Sequence, residues 1–181
     1  MKRRNLFCLL SSTLLFFSCE NNKPPTQTAS YFDLKSYFEK QAKELSRNNL
    51  KLKKSVSKDN ETEEKLFDKP DWKEELKPFS ECDINKPSWK NSFRIDSTED
   101  LGIQCISYSA KDSSLKIKSI NFCFEHDSLT FIRIEKHTDN MYYDNYTVLN
   151  YFPQKAYSIK SSQKINFTKE TSITINGIFL R

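Results

Sequence analysis

From Leu101 to the C terminus the sequence is written almost wholly as strand, and that block restricts the fold more than any other feature. Alternating apolar segments fall at roughly 101–110, 115–125, 128–138, 145–152, 155–160, 163–168 and 172–180. The loops between them are too short for crossover helices, so successive strands are expected to be antiparallel neighbours. A turn at His126-Asp127 sets Phe124 opposite Leu129 and Phe122 opposite Phe131, apolar against apolar. A loop at Ser161-Ser162-Gln163 aligns Ile159 with Ile165 and Tyr157 with Phe167, and a five-residue loop over 168–172 aligns Ile165 with Ile175. Along 115–125 the apolar parity switches, from Leu115 and Ile117 to Ile120, Phe122 and Phe124, and the partner strand switches too. Either a bulge sits near Ser119 or a long coiled sheet buries different faces at its two ends; the joint switch favours coiling. Gly177, inside the last strand, marks a bend or a close approach.

Before that block the period changes. Ser30 is placed to cap a helix with Asp33 three residues on, and Leu34, Tyr37, Phe38, Ala42 and Leu45 recur on one face. Leu50, Leu52 and Val56 share one strand parity. Lys58-Asp59-Asn60 then turns the chain into a return through Lys65-Leu66-Phe67. Pro70 and Asp71 open a second helix carrying Trp72, Leu76 and Phe79 on one side. The expected class is α+β: two N-terminal helices packed on a curved antiparallel β-meander of about seven to nine strands. At 181 residues this is one domain. Two glycines, Gly102 and Gly177, exclude glycine-rich chemistry: phosphate loop, dinucleotide fingerprint and nucleophile elbow each need closely spaced glycines.

The first residues carry an address. Met1-Lys-Arg-Arg4 is cationic, and Asn5 to Phe17 is apolar and uncharged. As helix that run rises ~20 Å, short of a ~30 Å hydrocarbon core, so it reads as a signal-peptide segment. It ends in Phe16-Phe17-Ser18-Cys19, which resembles the lipobox of bacterial lipoproteins, with Phe16 for the usual Leu and Phe17 for the usual small residue. The resemblance implies cleavage before Cys19, acylation of Cys19, and a membrane partner held through it. Residues 1–18 are then a signal peptide, 19–30 the lipidated Cys with a flexible tether containing Pro24-Pro25, and 31–181 the domain. Losing Lys2, Arg3 and Arg4 leaves 26 basic against 24 acidic residues, a charge of +2 with the signs interspersed. That is no nucleic-acid footprint.

The domain retains Cys82, Cys105 and Cys123, an odd number, and no C-x-x-C. A tight turn at Lys111–Ser114 would set Cys105 opposite Ile120, too far out of step with Cys123 for a bridge. Buried, inert thiols account for all three. If a disulfide forms, this register makes Cys82 the common partner, as in Cys82–Cys105. His126 falls in a turn and His137 near the far end of the following strand, ~33 Å apart, so they share neither a metal nor a proton relay. Glu61, Glu63, Glu64, Asp68 and Asp71 are interleaved with Lys65, Lys69 and Lys73, the pattern of a solvated face. Tyr142, Tyr143, Tyr146, Tyr151 and Tyr157 fit either a sheet core or a binding face.

With Cys19, the segment from Asp71-Trp72 to Trp89 is similar in style to small lipoproteins of the Bacteroidota. That resemblance implies the outer membrane as location and names no activity. It also implies O-glycosylation at Ser97, in Asp96-Ser97-Thr98, and at Ser128, in Asp127-Ser128-Leu129. The functional expectation is a lipid-anchored, non-catalytic envelope protein with a structural or protein-contacting role and no cofactor. A half-barrel carrier of lipid or another apolar ligand is the alternative, and a tightly filled interior counts against it. Catalysis would call for a pairing such as Cys105 or Cys123 with His137.

Overall fold

The computed structural model describes residues 31–59, 61–165 and 170–181. Helix α1 spans Leu34–Arg47 and α2 spans Trp72–Ser80. Asp33 itself caps α1, its Oδ1 accepting from Ser36 N at 2.9 Å; Ser30 lies outside the described residues. Asp71 caps α2 the same way, accepting from Lys73 N and Glu74 N at 3.1 and 3.2 Å. Leu34, Phe38, Ala42 and Leu45 on α1, and Trp72, Leu76 and Phe79 on α2, are buried, the two stripes that the helical period marks.

The strands are β1 Lys51–Lys58, β2 Glu61–Phe67, β3 Phe93–Asp100, β4 Ile103–Ala110, β5 Ile117–Glu125, β6 Ser128–Asp139, β7 Tyr143–Phe152, β8 Ala156–Ile165 and β9 Thr171–Leu180. They form one antiparallel open sheet in the order β2-β1-β9-β8-β7-β6-β5-β4-β3. Strands β3 to β9 are a meander, and the early hairpin joins its far side through β1 against β9. The α+β expectation therefore holds, with two corrections inside it.

The first concerns where the strands fall. Phe93–Asp100 is a strand that the alternation rule does not mark, paired with β4 across a Leu101-Gly102 turn with both residues at positive φ. Conversely, Ser161-Ser162-Gln163 is not a loop. It lies within β8, opposite Thr147, Tyr146 and Asn145 of β7, so Ile159 pairs with Ile175 and not with Ile165. The expected partner Phe167 lies outside the described residues.

The second correction is to the parity switch. Phe124 does face Leu129, but Phe122 faces Ile132 and Cys123 faces Phe131, because Thr130 is an extra residue in β6. A second shift lies between Ile117 and Ser119, leaving Lys118 extra in β5. Two bulges, one per strand, produce the joint switch that sheet coiling was expected to explain. They keep Ile117, Ile120 and Phe122, and Ile132 and Ile134, all buried on one face.

That face receives both helices. Phe32 lies against Phe122 at 4.5 Å between centroids, and Phe38 meets Tyr151 at 5.0 Å and Trp72 meets Phe179 at 4.8 Å, both edge-on. By register, every buried sheet side chain described stands on this side.

Candidate functional site

Among the described residues no helix packs on the opposite face of the sheet, and its side chains fall into rows because the registers align. One row runs Cys105, Cys123, Phe131, Phe152, Ala156 and Ile178, one residue from each of β4 to β9. The rings of Phe131 and Phe152 lie 5.0 Å apart, closing the step between β6 and β7. Phe152 is 40% exposed and Ile178 50%, so this is an apolar stripe in water. The next row is polar throughout: Ser107, Asn121, Arg133, Asn150, Ser158 and Asn176. Arg133 Nη1 donates to Asn150 Oδ1 at 3.4 Å and Asn150 Nδ2 to Ser158 Oγ at 3.2 Å. Arg133 Nε also donates to Glu135 Oε1 at 2.9 Å, and Glu135 in turn takes the Tyr146 phenol, whose pKa is raised by burial and then by that contact. Apart from Arg133 a row of amides and hydroxyls, the polar row can exchange hydrogen bonds with a partner surface while the stripe supplies apolar area.

The stripe begins with a covalent bond that corrects the cysteine reading. Cys105 and Cys123 are disulfide-bonded, directly opposite each other with Cα atoms 4.1 Å apart. The connection from Ala110 to Ile117 is longer than a tight turn at Lys111–Ser114, which moves the register three residues and brings Cys123, not Ile120, level with Cys105. Tyr108 takes Ile120 instead. Cys82 joins no Cys82–Cys105 bridge: it is buried and free, and its thiol donates to Pro78 O at 3.1 Å. Burial pushes that thiol up to about 11.

His137 is not paired with a cysteine. Its Nε2 lies 2.6 Å from Asp144 Oδ1, across to β7, and it sits six residues along β6 from the disulfide level, ~20 Å away. His126 occupies a two-residue turn with Asp127, both at positive φ. Ser128 follows that turn and is exposed; Ser97 is exposed on β3, an edge strand. The acidic residues do different things: Glu64 meets Lys53 at 2.9 Å, Asp68 meets Lys51 at 2.8 Å, and Asp71 caps α2. The tyrosines divide as well, Tyr151 and Tyr157 into the core and Tyr142 and Tyr146 to the surface. Cys19, the signal peptide and the tether lie outside the described residues.

Beneath the helices the sheet is filled. Phe38, Phe79, Phe122, Tyr151 and Tyr157 are all at most 2% exposed, Phe124 and Ile159 pack against them, and Phe131 lies on the other face. Between α1 and α2 a surface groove of about 620 Å³ has Phe38, Ala42 and Leu76 as its floor and Lys35, Lys73 and Glu39 among its walls. Comparison with known protein families, with curated proteins and with solved structures finds no match to this chain.

Proposed function

We propose that this protein is a lipid-anchored, non-catalytic envelope protein that contacts another protein through the uncovered face of its sheet. The observation that carries the reading is the pair of adjacent rows on that face, the Cys105-to-Ile178 stripe beside the Ser107-to-Asn176 polar row. An apolar strip flanked by mostly unionised hydrogen-bonding groups is the composition of a protein contact, where charge is depleted at the centre. The aromatic filling under α1 and α2 favours this over the carrier alternative, since a lipid would need the volume those rings occupy. The anchoring half rests on Cys19 following an apolar run.

Two measurements on the full chain in a bacterial host test the two halves. Metabolic labelling with an alkyne fatty acid should mark the protein and fail in Cys19→Ala; label retained by that variant removes the anchor. A photo-crosslinking residue at Phe152 or Ile178 should give one discrete adduct, and the same residue at Glu39 on α1 should give none. Adducts from Glu39 alone, or no adduct from either sheet position, would overturn the interface.

A further inference from the structure

We propose that one end of the sheet, the end carrying the β4–β5 and β6–β7 connections, rests on the anionic surface of the bilayer that holds Cys19. This rests on the anchor reading above and adds the domain's orientation to it.

Antiparallel pairing puts the starts of β2, β3, β5, β7 and β9 at one end, with the β4–β5 and β6–β7 connections, and the β3–β4, β5–β6 and β7–β8 turns at the other. The described chain enters at the first of these ends. Tyr31 Oη accepts from Phe93 N, at the start of β3, at 3.2 Å, and Tyr31 N donates to Asn85 Oδ1 at 3.1 Å. The twelve residues 19–30 span at most ~40 Å even when fully extended. The far end of the sheet is ~33 Å further along strands of ten residues such as β7. The near end is therefore the one a Cys19 anchor can bring to the membrane without drawing out the whole tether.

The near end also carries the matching chemistry. Beside Tyr31, Lys111 and Lys116 of the β4–β5 connection and Lys118 at the start of β5 accompany one carboxylate of that connection, Asp112, whose Oδ1 accepts from Ser114 N at 2.8 Å. Lys111 Nζ donates to Asn91 O at 2.9 Å and Lys118 Nζ to Ser113 O, carbonyls that position the ammonium groups without neutralising them. Lys90 adds a fourth positive charge there. On the neighbouring connection Met141 is 73% and Tyr142 69% exposed. The Tyr142 backbone is fixed by its N–H donating to Asn140 Oδ1 at 2.9 Å. A cationic loop beside an exposed Met-Tyr tip matches a bilayer interface: lysines at anionic headgroups, the phenol at headgroup level and the thioether below it. Asp139 and Asp144 flank the tip, which sets it at the interface and not deeper.

The test uses the full chain, processed in a bacterial host and reconstituted into vesicles of three parts brominated phosphatidylcholine to one part phosphatidylglycerol. Tryptophan is introduced as Tyr142→Trp at the near end or Leu101→Trp at the far end, where Leu101 is 94% exposed, with the signal of the parent chain subtracted. Position 142 should lose roughly half its fluorescence to the bromines and position 101 almost none. Lys111→Glu/Lys116→Glu/Lys118→Glu should bring position 142 down to the level of 101 while the protein still floats with vesicles. Quenching equal at both positions, absent from both in a floating protein, or unchanged in the triple variant overturns the docking and leaves the anchor standing. A protein whose mass lacks acyl groups and which does not float overturns both.

Discussion

The ring of Tyr157 occupies the space where a Cβ on Gly177 would stand: Tyr157 Cζ would be 2.6 Å from that atom, and Leu52 Cδ1 2.9 Å. The two residues are register partners on β8 and β9. Tyr157 is held in place, because its Oη donates to Glu75 Oε2 at 2.6 Å and Phe79 packs edge-on against it. Gly177→Ala is expected to cost about 1–3 kcal/mol by overpacking, read as a lower urea midpoint at unchanged slope. A loss within error would show that the ring can move.

Glu75 ties that contact to the rest of the fold. Lys54 Nζ donates to both its oxygens, at 3.0 and 2.9 Å, with side chains 26% and 18% exposed. Three elements, β1, α2 and β8, thus share one carboxylate. Glu75→Ala leaves the Tyr157 hydroxyl and the Lys54 ammonium without it and should cost about 2–3 kcal/mol, more than the roughly 1 kcal/mol of Tyr157→Phe. Equal losses in equilibrium unfolding would remove Lys54 from the network.

The core tyrosines make the fold sensitive to alkali. Burial raises the pKa of Tyr151, with Tyr37 and Glu44 adding to it, and burial together with Glu75 raises that of Tyr157. An acid whose pKa is raised by folding keeps its proton in the native state after the unfolded chain has lost it, so stability is intact below pH ~10 and falls above. Each of the two phenols should remove about 1.4 kcal/mol per pH unit beyond that point. Urea midpoints taken across the alkaline range should fall, less steeply in Tyr157→Phe; a flat profile would mean these hydroxyls titrate normally.

Much of this architecture is legible in the residues, and the gaps have physical causes. The helices and the β1–β2 hairpin follow from apolar spacing and the turn-forming residues between Lys58 and Glu61, since each is a local signal. Strand β3 is invisible because an edge strand with only Phe93 buried has no alternation to display. Ser161–Gln163 resembles a loop because this stretch of β8 turns polar residues to both faces; Asn145 Oδ1 accepts from Thr147 Oγ1 at 3.3 Å and from Ser161 Oγ at 2.9 Å. The bulges at Lys118 and Thr130 mimic coiling because parity alone cannot separate them. The rows of the uncovered face draw one residue from each of six strands, so they exist only once every register is known. A register three residues out between β4 and β5 is enough to separate Cys123 from Cys105.

The disulfide fastens two neighbouring strands at a sequence separation of 18. Closing a loop of that length in the unfolded chain stabilises the fold by ~3 kcal/mol in the chain-entropy account. Cys105→Ser/Cys123→Ser should lower the urea midpoint accordingly, and dithiothreitol should lower that of the parent chain to the same value. Because the bridge starts the apolar stripe, the variant should also weaken the Phe152 adduct. Unchanged unfolding with and without reductant would mean that the two thiols are not bonded.

Cys82 should behave in the opposite way. It is fully buried, its thiol is committed to Pro78 O, and burial lifts it to about 11 against a partial pull from Lys136. Only the thiolate attacks, so at pH 8 roughly one molecule in a thousand carries the reactive form, and that form has no solvent path. Alkylation with iodoacetamide, followed by mapping of the peptide that contains residue 82, should give no label in the folded chain and full label in urea. Label appearing in the folded chain within minutes would mean that the C-terminal turn of α2 opens on that timescale, since Pro78 already lacks the N–H that would hold it closed.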